Sequence, residues 1–97
     1  MTTTYYINSI AIVSTAAIGV SVERYHSADY WAIRLYLQDT FTNAITSSLL
    51  PNTTGIIEII DTLGTTTFSG TISYWASSVD YSYVDLVNCN MAYVTAP

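Results

Sequence analysis

Apolar and polar residues alternate most strictly from Tyr30 to Gln38. Trp31, Ile33, Leu35 and Leu37 fall in one phase, and Tyr30, Ala32, Arg34, Tyr36 and Gln38 in the other. A repeat of two is that of a strand with one buried face. The same repeat runs from Thr66 to Trp75, with Phe68, Gly70, Ile72 and Tyr74 set against Thr67, Ser69, Thr71 and Ser73. Threonine, isoleucine and tyrosine, the residues that pack best on a pleated surface, dominate these stretches. Further strands are predicted over Tyr5 to Val13, Ile18 to Glu23, Ile56 to Ile60 and Tyr81 to Val94. The last is long enough for a bulge or bend. Tyr81 and Tyr83 share one phase there and Val84 and Leu86 take the other, which suggests a slip around Tyr83 to Asp85.

Turn chemistry separates these segments. Asp61-Thr-Leu-Gly64 predicts a short hairpin connection in which Gly64 supplies a positive φ, and Pro51-Asn-Thr-Thr-Gly55 predicts a second turn. Between Asp39 and Leu50, Phe41, Ala44, Ile45 and Leu49 have helical spacing behind an Asp39 or Thr40 cap, yet the threonines and serines suit a strand equally well. Short connections leave no room for repeated crossover helices, so pairing is expected to be antiparallel. The expected fold is all-β: an antiparallel β-sandwich or small barrel of six to eight strands with at most one short helix, forming a single domain over residues 1–97. The Thr2-Thr-Thr4 start and the Ala96-Pro97 end are expected to be loosely held.

Composition narrows the function classes. The 97 residues include no lysine, two arginines (Arg24 and Arg34) and one histidine, with 51% hydrophobic and 9% charged residues and a net charge of −5. Such a chain is built to fold, and it has no basic patch with which to neutralise the phosphates of nucleic acid or an anionic membrane. Cys89 stands alone, so no intramolecular disulfide forms, and it is expected as a small buried hydrophobe. The apolar stretch from Ile7 to Val20 has the length of a signal-peptide core. It lacks a positive leader, is interrupted by Asn8, Ser9, Ser14 and Thr15, and is too short to span a bilayer, so it is expected to form a pair of buried strands.

Candidate chemistry is sparse. Glu23-Arg-Tyr-His-Ser-Ala-Asp29 sets the sole histidine between two carboxylates beside a serine, but sequence neighbours rarely reach one another as a catalytic triad must, and a polar loop is expected. No zinc spacing or calcium loop is present, and Asp80 and Asp85 are expected as solvated edge charges. The four glycines lie too far apart to cradle a phosphate. Asn52-Thr-Thr54 matches a glycosylation acceptor, a triplet that arises readily in a threonine-rich chain. No catalytic residue, metal or cofactor is assigned, and the chain is expected not to be an enzyme.

Nine tyrosines and two tryptophans give the stronger signal. Tyrosine buries a large ring while keeping a hydroxyl for water or a partner, and interface cores are enriched in it. Tyr30, Tyr36, Tyr74, Trp75, Tyr81 and Tyr83 are the candidate interface residues; the competing reading makes them ordinary cross-strand pairs. Ile56-Ile-Glu-Ile-Ile60, Gly64-Thr-Thr-Thr-Phe-Ser-Gly-Thr-Ile-Ser-Tyr-Trp75, an initial Met1 without a leader and the scarcity of charge together resemble the small β-rich structural proteins of tailed-bacteriophage virions, such as head decoration or tail modules. The resemblance implies a structural subunit that forms a homo-oligomer or docks on other virion proteins, is assembled in the host cytoplasm and resides in the virion. An aromatic platform that binds carbohydrate or peptide is the alternative.

Overall fold

A computed structural model describes residues 3–24 and 31–97. It holds seven strands, β1 (Thr4–Ile7), β2 (Ile10–Ile12), β3 (Ile18–Arg24), β4 (Trp31–Leu37), β5 (Thr54–Ile60), β6 (Gly64–Ala76) and β7 (Ser82–Thr95), and one helix, α1 (Asn43–Ser48). All seven strands join one antiparallel sheet in the order β2-β1-β5-β6-β7-β4-β3. Fold class and strand number agree with the sequence pattern.

The sheet cannot be flat. Seven strands spaced by about 4.8 Å would put the outer strands β2 and β3 about 29 Å apart. The chain passes from Ile12 to Ile18 through five residues, which reach about 20 Å even when fully extended. The two edges must therefore curl toward each other, as in a small barrel that has not closed. The Ser14 hydroxyl donates to the Asp39 carboxylate at 3.1 Å, tying this link to the end of β4.

The core fills the concave side. Ile7 of β1, Ile57 of β5, Phe68 and Ile72 of β6, Val84, Leu86 and Cys89 of β7, and Ile33, Leu35 and Leu37 of β4 form one buried cluster with Phe41, Ile45 and Leu49, which come from α1 and its flanks. The cap of α1 is Thr42, whose hydroxyl accepts from the Ile45 N–H, in place of the expected Asp39 or Thr40. Asp39 and Thr40 are used instead to leave β4, and Ala44, expected among the buried residues, faces solvent. Buried Ser82 donates to the Asp39 carbonyl and accepts from Ser77, whose oxygen in turn accepts from the Phe41 N–H, so this crowded corner is hydrogen-bonded throughout.

Four expectations are corrected. Tyr5 to Val13 is not one strand but a tight hairpin, because Asn8 and Ser9 both take positive φ (50° and 67°) and reverse the chain. Gly64 has no positive φ; its turn is closed by the Asp61 carboxylate, which accepts from the Leu63 and Gly64 N–H groups. The glycine is needed because a Cβ there would strike the Tyr93 ring and the Val94 carbonyl. No slip occurs at Tyr83 to Asp85, where residues 81 to 86 alternate without interruption. The extra residue of β7 is Asn88, with φ of 54°, and both neighbouring strands shift register beside it. A second bulge, at Ser73 of β6, reverses the phase expected for Tyr74.

Candidate functional site

The convex side of β3, β4, β7 and β6 gathers most of the predicted interface residues. In β4 the alternation that buries Ile33, Leu35 and Leu37 sends Arg34 and Tyr36 outward. In β7 the same alternation buries Ser82, Val84 and Leu86 and sends Tyr83 and Asp85 outward. The register then sets Arg34 opposite Asp85 and Tyr36 opposite Tyr83. Across β6, the Ser73 bulge turns Tyr74 outward, opposite Asp85, leaving the residue 58% exposed.

The rings form a continuous array. Tyr36 stacks on Tyr81 with centroids 6.0 Å apart and planes within 20°; Tyr81 meets Tyr83 at 5.9 Å, and Tyr83 meets Tyr74 at 6.0 Å. Tyr36 also lies across Gly19 of β3, where any Cβ would collide with its ring and hydroxyl. An aromatic laid across a glycine on a neighbouring strand restores the packing surface that the glycine lacks. Each ring is thus fixed by another ring or by the sheet, so little rotamer freedom remains to be lost on binding.

Arg34 ties the array together. Its guanidinium carbon lies 4.1 Å from the Tyr83 ring centroid, while Nε and Nη2 donate to the two carboxylate oxygens of Asp85 at 2.7 and 2.9 Å. The hydrogen bond to Asp85 holds Arg34 above its ordinary pKa, with the nearby tyrosines adding to the effect against some desolvation, so it is protonated at every working pH. Both partners stay partly exposed (44% and 25%), which limits the pair's worth for stability; its effect is to fix the plane of the guanidinium. Beside the pair lies an open depression of about 400 Å³ lined by Ser21, Glu23, Ala32, Ser73 and Val87.

Tyr36, Tyr74, Tyr81 and Tyr83 therefore come together on one face, and Trp75 does not. The Ser73 bulge that turns Tyr74 out turns Trp75 in, opposite buried Val84, where it packs against the core. Tyr30 lies outside the described residues, as do His26, Ser27 and Asp29 of the polar segment. Sequence reasoning passed over Arg34 and Asp85. Asp85 was expected as a solvated charge, yet its place in the phase of Tyr81 and Tyr83, and that of Arg34 in the phase of Tyr36, was the available sign that the four share a face.

The face offers π surfaces, phenolic hydroxyls and a planar cation with three N–H donors still uncommitted. Among the described residues no three potential metal ligands converge. Cys89 is fully buried on the opposite side of the sheet, and burial pushes its thiol up to about 11. No helix among the described residues is long and apolar enough to cross a membrane. No family model matches the chain, nor does any curated protein or solved structure.

Proposed function

We propose that this chain is a non-enzymatic structural subunit that docks into a larger assembly, through self-association and contacts with neighbouring subunits, in the manner of a phage head decoration or tail module within the virion. The observation that carries this reading is the exposed array of Tyr36, Tyr81, Tyr83 and Tyr74 around the Arg34–Asp85 pair. Tyrosine and arginine dominate the energetics of protein interfaces, and rigid rings lose little entropy when covered. Light scattering on size-exclusion fractions across a dilution series tests it. An assembly is expected whose mass falls when Tyr81→Ser and Tyr83→Ser are combined, with the strand signature in circular dichroism retained. Monomeric wild-type protein at every concentration overturns self-association.

A second reading is favoured by the depression beside Arg34. Its lining includes Ser21, Glu23, Ser73 and the Asp85 that Tyr74 faces across the β6–β7 pairing, which suits a sugar that hydrogen-bonds to these groups and reaches onto the exposed Tyr74. Glycan binding lost on Tyr74→Ala but not on Trp75→Ala, in folded protein, would establish it.

A further inference from the structure

We infer that a cleft between β2, the end of β4 and α1 takes the side chain of a lysine from a different protein, with the stem on Ile12, Leu37 and Ile45 and the ammonium on Asp39. The cleft shares no residue with the tyrosine face, so this inference neither needs that face nor fails with it.

The cleft forms where two apolar repeats stop. Leu37 is the last inward residue of β4, and Gln38 and Asp39 then leave the sheet toward α1. β2 ends likewise: Ile12 is buried, and Val13 passes into the link to β3 with 83% of its surface exposed. Ile12, Leu37 and Ile45 line an open cleft of about 210 Å³ and are themselves buried, so they form its floor, while exposed Val13 and Asp39 form its rim. That volume falls below the roughly 300–1,000 Å³ of sites for whole small-molecule ligands and suits a single side chain.

Charge selects which side chain. One oxygen of Asp39, Oδ2, accepts from the Ser14 hydroxyl at 3.1 Å, and the other, Oδ1, accepts from the Thr40 N–H at 2.8 Å. Both donors are neutral, so the carboxylate is oriented without being neutralised. The one ion pair among the described residues joins Arg34 to Asp85, and Arg24 pairs with Trp31 at the other end of β4, about 20 Å along the strand from Leu37. An apolar floor beside a fixed carboxylate complements an amphipathic cation, whose methylenes cover the floor while its head stays in water against the carboxylate. Lysine fits more closely than arginine. Each Asp39 oxygen already carries a hydrogen bond, and a compact ammonium needs a single approach where the guanidinium fork asks for two in line. The chain has no lysine and carries −5, so a second copy cannot supply the group, and the field of the whole subunit attracts a partner that does.

The experiment titrates isotopically labelled protein with Nα-acetyl-lysine methylamide and follows the methyl resonances of Ile12, Leu37 and Ile45 by NMR. Saturable shifts centred on these methyls and the Asp39 amide are expected. Binding should weaken about fivefold for the Nε-acetylated probe, which keeps the stem and loses the charge, and by a similar factor for Asp39→Asn. If Asp39→Asn does not fold, the two probes on the wild type make the comparison alone. Absence of saturable shifts at the cleft, or equal binding of the charged and neutral probes, overturns the inference. Equal or tighter binding of Nα-acetyl-arginine methylamide overturns the choice of lysine. Much tighter binding of n-pentylamine than of the blocked lysine would assign the cleft to a free small amine, and tighter probe binding after acetylation of the chain's own N-terminal amine would assign it to that terminus; either result overturns the docking of a partner's lysine. The Tyr81→Ser/Tyr83→Ser protein is expected to bind the probe as the wild type does. Assembly lost there with probe binding kept supports both sites, whereas wild-type assembly without probe binding leaves the tyrosine face standing and removes the cleft.

Discussion

Individual side chains in this fold occupy positions whose cost or benefit is separable by single substitutions. Ser9 is the plainest case: it follows Asn8 in a two-residue hairpin and holds φ of 67° with its side chain in solvent. Asparagine tolerates the left-handed region, and Asn8 is further compensated because its side chain donates to the Ser48 carbonyl and accepts from the Ile56 N–H. Ser9 has no such compensation, and the hairpin geometry with both central φ values positive favours glycine at its second position. Ser9→Gly is expected to stabilise the protein by about 0.5–1 kcal/mol, the relief of a left-handed residue less the extra freedom glycine gains when unfolded. Urea denaturation with an unchanged m-value checks this. Cys89 makes a second residue-level prediction through pH. The buried thiol titrates near 11, whereas in the unfolded chain it titrates near 9.0. The native state thus holds the proton more tightly, so the Cys89 contribution is intact below pH 9 and is lost as pH climbs from 9 to 11. The wild type should lose about 2–3 kcal/mol more than Cys89→Ala across that window, the comparison cancelling every pH effect that the two proteins share. Equal slopes for the two proteins would show that the thiol does not titrate between them.

At the scale of elements, the two bulges decide what each long strand does. Gly70 of β6 lies across from the Asn88 bulge, and a Cβ there would run into Cys89 Sγ and the Val87 carbonyl. Gly70→Ala is therefore expected to cost about 1–3 kcal/mol, as overpacking does. Adding Cys89→Ala removes the sulfur but not the carbonyl, so a double-mutant cycle from thermal melts should show favourable coupling of about 1 kcal/mol. Additive losses would mean that the backbone carbonyl alone sets the clash. The same bulges mark the limit of what the sequence discloses. Where a strand is regular, parity is legible: β4 places Ile33, Leu35 and Leu37 inward and Arg34 and Tyr36 outward, as its alternation requires. One extra residue reverses everything after it, and neither Asn88 nor Ser73 carries a local signature that distinguishes an inserted residue from a polar outward one. The consequence is visible at Tyr74 and Trp75, whose faces are exchanged relative to an unbroken repeat. Asn8-Ser9 was obscured in another way, since a serine stands where the hairpin rule expects glycine. The candidate face was legible in its tyrosines, which declare themselves by type, but not in the Arg34–Asp85 pairing, which depends on a register between strands 51 residues apart.

Across the whole molecule, charge is the quantity that an assembly of these subunits must manage. Seven acidic residues and two arginines leave −5 on a chain with a sequence pI near 4.1, and the one described ion pair already engages Arg34. Two kinds of contact then respond oppositely to salt. An interface held by ion pairs weakens as salt rises, because screening with a length near 10 Å at 0.1 M removes the attraction. Contacts built from tyrosine rings around an ion pair closed within one chain have little attraction to screen, and what salt removes is the mutual repulsion of copies that are each net negative. Association of this protein should therefore strengthen between 20 mM and 500 mM sodium chloride, a range in which the screening length contracts from roughly 20 Å to about 4 Å. The same repulsion fades as pH falls from 7 toward the sequence pI near 4.1, where the net charge approaches zero, so acidification should act in the same direction as salt. Sedimentation velocity at fixed protein concentration, run over both axes, measures this directly. A dissociation constant that rises with salt would assign the contact to ion pairs between copies, in conflict with a tyrosine array whose Arg34 is already paired with Asp85 of its own chain.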